Sequence, residues 1–423
     1  SDVCSSDLTP VFVTSMSAVQ ERAEHFLKSI RKHFDKSEIF YAIKANPTKL
    51  ILEEVSASGC GAEIVSIGEW KKAIEGGFNP KKISFAGPAK QSYEWKQVIE
   101  AGIGFIVMEH IAELEEVLDF IAKEKNGKVS TSVIVRINPC LEVDTHPHLE
   151  TGAIHSKFGI LFNHFKEWFE QKNRTLNTSD KNSYFAPIQG LHIHIGSQIK
   201  QPDMVEKTIE YLFECANYLV LSGLNLNHID LGGGMWVDYE YGSPKEGRDI
   251  YPYVDSLAKK IKLTVKKYPE LIKIWGTEAE KVRVCLEPGR SMVASSTILL
   301  TKVLYTKVNS PTVRFCYVDA GMNDFPRPSL YDAVHKIECV DYVCDSEKRK
   351  KDFLDCGLTK WEVVGPLCES GDYLHKNALL PELMRGDILA FFEAGAYCKS
   401  MGNEYNSRPL TKEVFVRNGD IFS

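Results

Sequence analysis

The segment Tyr41-Ala-Ile-Lys44-Ala-Asn46-Pro47 ends a short apolar run with a lysine that packing alone would not call for. An ammonium at the end of a strand in a sheet interior is desolvated, which lowers its pKa and frees a neutral amine for Schiff-base chemistry. A strand-end lysine reaching into water is the plain alternative. Other unusual residue types close similar runs: His194 after Leu-His-Ile, the triplet Gly232-Gly233-Gly234 after Ile-Asp-Leu, and Glu287 after Val-Cys-Leu. Three consecutive glycines let backbone amides approach an anion closely, and Ser197 adds a hydroxyl donor. The triplet has neither the lysine and Ser/Thr of a Walker loop nor the spacing of a dinucleotide fingerprint, which disfavours both ligands. Singly, the histidine reads as a hydrogen-bonded core residue, the glycines as a tight turn, and Glu287 as a salt-bridge partner of Arg290. Together, a Schiff-base lysine, a phosphate cradle, an imidazole and a buried carboxylate are what pyridoxal 5'-phosphate requires.

The elements that must position these residues are visible as short apolar runs. They span residues 39–44, 62–65, 83–85, 105–107, 133–137, 191–195, 228–231 and 282–286, separated by stretches long enough for a helix. Strands alternating with helical patterns imply right-handed crossovers and a parallel sheet, and eight of them predict an α/β fold of the closed (β/α)8 type. An open doubly wound sheet would also alternate. In a barrel the chemistry lies at the C-terminal ends of the strands, where Lys44, His194, the glycine triplet and Glu287 all fall. The polar segment 164–187 reads as an exposed loop excursion. After residue 287 the runs become strand-like with few helical patterns, which predicts a second, mainly β domain of barrel or sandwich type. The expected division is therefore a cofactor-binding barrel at 11–286 and a β-domain at 287–423, with residues 1–10 a candidate addition to the second. The charged run 345–352 reads as a solvated loop.

Composition narrows the classes. A chain of 423 residues with 43% apolar content exceeds one hydrophobic core, which fits two domains. A formal net charge of -6 leaves no basic footprint for nucleic acid or an anionic membrane surface, and no apolar run approaches the length of a membrane span. The eleven cysteines are scattered without a Cys-x-x-Cys pair or a Cys/His cluster. That argues against a disulfide framework and against a metal site, and points to a reducing cytoplasm.

Ordered motifs along nearly the whole chain resemble the group-IV pyridoxal phosphate decarboxylases, which pair an alanine-racemase-like barrel with a β-domain. They are Tyr41-Ala-Ile-Lys-Ala-Asn46, Thr145-His-Pro, Thr151-Gly, Lys157-Phe-Gly159, Gly190-Leu-His-Ile-His-Ile-Gly-Ser-Gln198, Leu231-Gly-Gly-Gly234 and Glu287-Pro-Gly-Arg290. They continue through Val318-Asp-Ala-Gly-Met322, Arg327-Pro-Ser-Leu-Tyr331, Gly365-Pro-Leu-Cys-Glu-Ser370, Ala394-Gly-Ala-Tyr397 and Tyr405-Asn-Ser-Arg-Pro409. Within the group, the resemblance is to the branch that converts meso-2,6-diaminopimelate to L-lysine and carbon dioxide. It implies that Lys44 holds the cofactor, His194 stacks on its ring and Glu287 pairs with the ring nitrogen. It also implies that Ser197, Gly232, Gly233, Gly234, the backbone of Gly289 and Arg290, and the Tyr397 hydroxyl surround the phosphate. Cys368 resembles the family's proton donor, contributed across a homodimer interface to the partner's site; its bland reading is a buried small hydrophobe.

The distal end of diaminopimelate carries both a carboxylate and an ammonium. Arg290 and Arg327 can offer guanidinium forks to the carboxylate, Tyr331 and Tyr397 hydroxyls, and Glu369 a counter-charge for the ammonium. A monocarboxylate substrate would leave two arginines unpaired, so a diacid is expected. A sibling decarboxylase of another D-amino acid or a carboxylated polyamine would keep the same cofactor residues. A racemase of this fold would place a catalytic tyrosine in the β-domain, against which Cys368 in Gly365-Pro-Leu-Cys-Glu argues, and an inactive regulatory homologue would be expected to lose Lys44 or Cys368.

Overall fold

The computed structural model describes residues 9–124, 129–140, 155–199, 202–239, 251–341 and 357–422. The Thr145-His-Pro and Thr151-Gly motifs and the charged run 345–352 lie outside the described residues. The chain forms two compact units, which in described residues comprise a barrel unit of 20–236 and 251–289 and a β unit of 9–19, 237–239 and 290–422.

The first strand, β1 (Val11–Ser15), belongs to the β unit. The barrel unit then lays down β2 (Ser37–Ala42), β3 (Gly61–Ile64), β4 (Ile83–Phe85), β5 (Phe105–Met108) and β6 (Ser132–Asn138). A two-residue β7 (Ile160–Leu161) follows, and then β8 (Ile188–His192), β9 (His228–Asp230) and β10 (Arg283–Leu286). Apart from β7, which pairs beside β6, these form one closed parallel sheet. β10 returns to β2, with Val284 opposite Ser37 and Leu286 opposite Ile39. Parallel strands covered on both faces read as continuous apolar runs, and accordingly every residue of β5 and β6 is buried. The eight-stranded barrel expected from the sequence is therefore present.

The segment 164–187 differs from the expected loop. It lies in two helices, Phe162–Thr175 and Thr178–Phe185, which lead from β7 to β8. Phe165, Trp168, Phe169, Tyr184 and Phe185 are buried, with the Phe169 and Phe185 rings 4.8 Å apart. The Asn, Lys, Thr and Ser residues that look loop-like in sequence alternate with this aromatic face.

The β unit contains β11 (Thr297–Ser310), β12 (Val313–Val318), β13 (Ile337–Asp341), β14 (Thr359–Val364), β15 (Tyr373–Leu380), β16 (Ile388–Phe391), β17 (Lys412–Arg417) and β18 (Asp420–Phe422). β1 lies between β11, to which it is antiparallel, and β17, to which it is parallel. Phe12 of β1 joins Leu299, Val303, Phe325, Trp361 and Phe391 in the core. The start of the expected 11–286 range thus falls in the β unit, because the apolar alternation of Val11–Ser15 is satisfied by sheet pairing there. At the other boundary, residues 287–289 stay with the barrel unit. There Glu287 N–H donates to the Gly232 carbonyl at 2.8 Å, and Pro288 carbonyl accepts from Ala42 N–H at 3.2 Å.

Candidate active site

Lys44 lies just beyond β2, in the 3-10 turn Ile43–Ala45. Tyr41 Oη donates to the Asn46 carbonyl at 3.0 Å, and Asn46 Oδ1 accepts from Thr48 N–H at 3.1 Å, so the turn is fixed from within. Lys44 Nζ donates to Glu63 Oε2 at 2.9 Å; the lysine side chain is 45% exposed and the glutamate 2%. The desolvated lysine expected at a strand end is corrected here. The turn carries the ammonium past the sheet, and the buried member of the pair is the carboxylate. Burial pushes Glu63 above the ordinary carboxylate range, and the Lys44 ammonium only partly offsets it.

A fully buried pair lies on the neighbouring strands. His192 Nε2 meets Glu287 Oε2 at 3.0 Å, with both side chains almost wholly enclosed. Burial disfavours both charges, yet the charge and hydrogen bond of each partner prevail: His192 is raised above its ordinary pKa and Glu287 is held below its own. Asp230 Oδ1 accepts from Gly232 N–H at 2.8 Å, and burial, reinforced by the Glu287 charge, pushes that carboxyl up. Glu287 Oε1 and His192 Nδ1 are buried without a hydrogen-bond partner. Barrel closure also sets ligating atoms of His192, Asp230 and Glu287, and of His228, Asp230 and Cys285, within 4.8 Å of one another. These groupings come from three different strands, so the chain's cysteine and histidine spacing could not show them.

His194 follows two residues after His192, beyond the end of β8. Its Nδ1 accepts from Gly233 N–H at 3.1 Å, and burial, aided by the charges of Arg136 and Lys44, holds its pKa well below the ordinary value. The imidazole is neutral. Gly232 and Gly234 have φ of 65° and 95°. A Cβ at Gly232 would lie 2.6 Å from His194 Nδ1, and one at Gly233 or Gly234 would lie 2.3 Å from the carbonyl oxygen of Glu287 or Gly196. Side chains cannot be accommodated here, so the loop presents bare backbone. Ser197 is half-buried in the loop after β8, and Gly289 is buried behind Glu287 and Pro288. Lys44, Glu63, His192, Asp230 and Glu287 thus cluster at the C-terminal ends of β2, β3, β8, β9 and β10, which are consecutive neighbours around the barrel.

In the β unit, the structure brings Arg290, Arg327 and Tyr397 together. Arg290 Nη1 donates to Tyr239 Oη at 2.7 Å, and its Cζ stands 4.7 Å over the Tyr397 ring. Arg327 opens the helix Arg327–Tyr331, which ends on the half-buried Tyr331. Both guanidinium side chains are buried. Cys368 and Glu369 follow β14 on an exposed loop, where Cys368 N–H donates to Asn406 Oδ1 at 2.9 Å. The buried-thiol reading of Cys368 is excluded within this chain.

The sequence reading missed Glu63, His192, Asp230, Tyr239 and His335. For three of them a signal existed: Glu63, His192 and Asp230 are the polar residues within the apolar runs Gly-Ala-Glu-Ile, Leu-His-Ile-His and His-Ile-Asp.

Residues 18–294 match the pyridoxal binding domain of the pyridoxal-dependent decarboxylases. Diaminopimelate decarboxylase of Zymomonas mobilis is 34% identical over 411 residues, covering 96% of this chain and 87% of that one. The chain belongs to the diaminopimelate decarboxylase family. Diaminopimelate decarboxylase of Helicobacter pylori strain J99 is 34% identical over 416 residues, covering 98% of this chain and 91% of the relative. The crystal structure of the Helicobacter pylori diaminopimelate decarboxylase complexed with L-lysine aligns with a TM-score of 0.80 at 32% identity, over 98% of this chain and 93% of that one. Pyridoxal phosphate is the cofactor of this decarboxylase family, and the barrel unit fits it on two counts. Glu287 Oε1 is a buried acceptor in want of a donor, which a protonated pyridine nitrogen supplies. The glycine loop is open backbone of the kind a phosphate needs.

Proposed function

We propose that this chain decarboxylates meso-2,6-diaminopimelate to L-lysine and carbon dioxide. The observation that carries the reading is the ring of ionisable groups at five adjacent strand ends, centred on Lys44 and Glu287, in a chain of this family. When bound, pyridoxal phosphate supplies a sink for the electron pair left by the departing carboxylate. Lys44 provides the amine that anchors it. Glu63, with its raised pKa, is the base that takes the lysine proton and leaves the nucleophilic amine. Glu287 stays ionised through His192 and accepts the pyridine N–H with its free oxygen, which favours the protonated ring. His194, being neutral, stacks its ring without adding a like charge. Gly232, Gly233, Gly234, Ser197, the backbone of Gly289 and Arg290, and the Tyr397 hydroxyl take the phosphate, which leaves the Arg290 guanidinium for the substrate.

The substrate's distal carboxylate is assigned to Arg290 and Arg327, with the Tyr331 and Tyr397 hydroxyls beside it, and its distal ammonium to Glu369. The bond from the D-configured carbon to its carboxylate breaks and carbon dioxide leaves. Cys368 Sγ–H delivers a proton to that carbon, and water restores the thiol. Cys368 and Glu369, exposed in one chain, serve the partner's site in a homodimer. All eight described cysteines are free thiols, and no helix among the described residues is long and apolar enough to cross a membrane. Both support a cytoplasmic enzyme.

The deciding experiment measures carbon dioxide release from meso-diaminopimelate, L-lysine, L-ornithine, D-lysine and D-ornithine by protein supplemented with pyridoxal phosphate. Release from the first alone, with L-lysine as product, is expected; turnover of a monocarboxylate instead would overturn the arginine assignment. The shared site has its own test. Mixing inactive Lys44→Ala and Cys368→Ala subunits should restore about a quarter of wild-type activity through hybrid dimers with one intact site. No recovery after subunit exchange would exclude sharing.

A further inference from the structure

Two buried guanidinium groups in the β unit are organised around one tyrosine ring. Tyr239 Oη accepts from Arg290 Nη1 at 2.7 Å, while Arg327 Cζ stands 3.9 Å over the face of the same ring. Arg290 Cζ lies 5.7 Å from that ring's centroid. Tyr239 is pinned through its own backbone, whose carbonyl accepts from Lys336 N–H at 2.6 Å. His335, fully buried, donates from Nδ1 to the Phe392 carbonyl at 2.8 Å. That bond fixes its tautomer and leaves the Nε2 lone pair for Arg327 Nη1. The imidazole packs against the rings of Tyr239 at 4.5 Å and Phe325 at 4.6 Å, so it cannot turn away. Arg327 Nε is buried with no hydrogen-bond partner.

The chemistry of the acceptors is the informative part. A carboxylate in either position would orient a guanidinium equally well but would also neutralise it and compete with an anionic ligand. A phenol oxygen and an imidazole nitrogen hold the guanidinium groups without themselves cancelling the positive charge. The tyrosine ring adds a face that stabilises one cation and separates it from the other. Burial and the neighbouring Arg327 charge keep His335 far below its ordinary pKa, so it remains an acceptor at neutral pH.

We propose that Tyr239 and His335 are the positioning residues that set diacid specificity, by orienting Arg290 and Arg327 with acceptors that themselves bring no negative charge to compete with a carboxylate. This rests on the assignment of the distal carboxylate to those arginines. The test uses holoenzyme carrying Tyr239→Phe, His335→Phe or His335→Gln. Steady-state kinetics on meso-diaminopimelate are combined with calorimetric binding of heptanedioate, a diacid without amines, and of 1,5-diaminopentane, a diamine without carboxylates. Loss of one hydrogen bond to a charged group should raise KM and weaken heptanedioate binding by about tenfold or more, with kcat within a few-fold and diamine binding unchanged. His335→Gln, which retains an acceptor, should recover most of the loss.

Tyr239→Phe removes a single oxygen and keeps the ring, so it reports even if His335→Phe fails to fold. Unchanged KM and heptanedioate affinity in Tyr239→Phe and His335→Gln alike, with wild type active on meso-diaminopimelate, would overturn the inference. Equal weakening of diacid and diamine would overturn it too, since that marks general damage. A wild type that releases no carbon dioxide from meso-diaminopimelate would instead count against the functional reading.

Discussion

Lys44→Ala is expected to abolish turnover, with kcat falling by roughly 10⁴-fold or more, the scale seen when a nucleophile is removed. The same substitution should leave pyridoxal phosphate removable by dialysis and no longer fixed to the chain by borohydride. The loss should be chemical, not structural. Lys44 is nearly half exposed, and the buried Glu63 it leaves behind already has a raised pKa, so it can take up a proton without a counter-charge. The thermal midpoint of the apoprotein should therefore change little. Lys44→Arg is the sharper control: it preserves a cation for Glu63 but offers no amine that can anchor the cofactor. Retention of both full activity and borohydride-fixable cofactor in Lys44→Ala would end the assignment of this residue.

Glu287→Gln is expected to lower kcat by about 10²–10³-fold, the cost of deleting one charge-stabilising contact in an enclosed site. It should also destabilise the fold. Breaking a buried pair costs about 3–5 kcal/mol, an upper bound here because glutamine keeps one hydrogen bond to His192. The dependence on pH identifies the cause. Glu287 is held below its ordinary 4.5, so its contribution is present above that pH and fades as pH falls. His192 is raised above its ordinary 6.5, so its contribution is present below that pH and fades as pH rises. The difference in urea midpoint between wild type and Glu287→Gln should consequently peak between pH 4.5 and 6.5. A difference that stays flat from pH 4 to 9 would show that the ion pair is not what the glutamate contributes.

The barrel was legible because strands buried on both faces cannot hide their apolar content, and all eight runs correspond to barrel strands. Lys44, Glu287 and the glycine triplet were legible for the converse reason, being residue types that a packed sheet would not choose. What could not be read was partnership. Glu63 pairs with Lys44, and His192 with Glu287, only because barrel closure sets β3 beside β2 and β8, β9 and β10 in sequence around the ring. In His192-Ile-His194 both imidazoles were visible, but what shifts their pKa values in opposite directions was not: burial at His192 is outweighed by Glu287, while burial beside Arg136 and Lys44 lowers His194. The helices at 162–185 were misread because polar residues outnumber the aromatic face that they carry. Tyr239 and His335 gave no signal at all, since their importance lies in the arginines they touch.

The pairing of Val11 with Lys412 has a consequence for how the protein is made. Most of the barrel unit is one uninterrupted stretch, able to collapse on largely local contacts as it leaves the ribosome. The β unit is stitched from both extremes of the described chain, and β1 has no partner until β11 and then β17 have been synthesised. Throughout translation an apolar strand with open backbone donors waits for its neighbours, and closing such distant segments is slow. Recovery of the β unit after dilution from denaturant should therefore lag behind the barrel, and crowding or overexpression should strand molecules with β1 exposed.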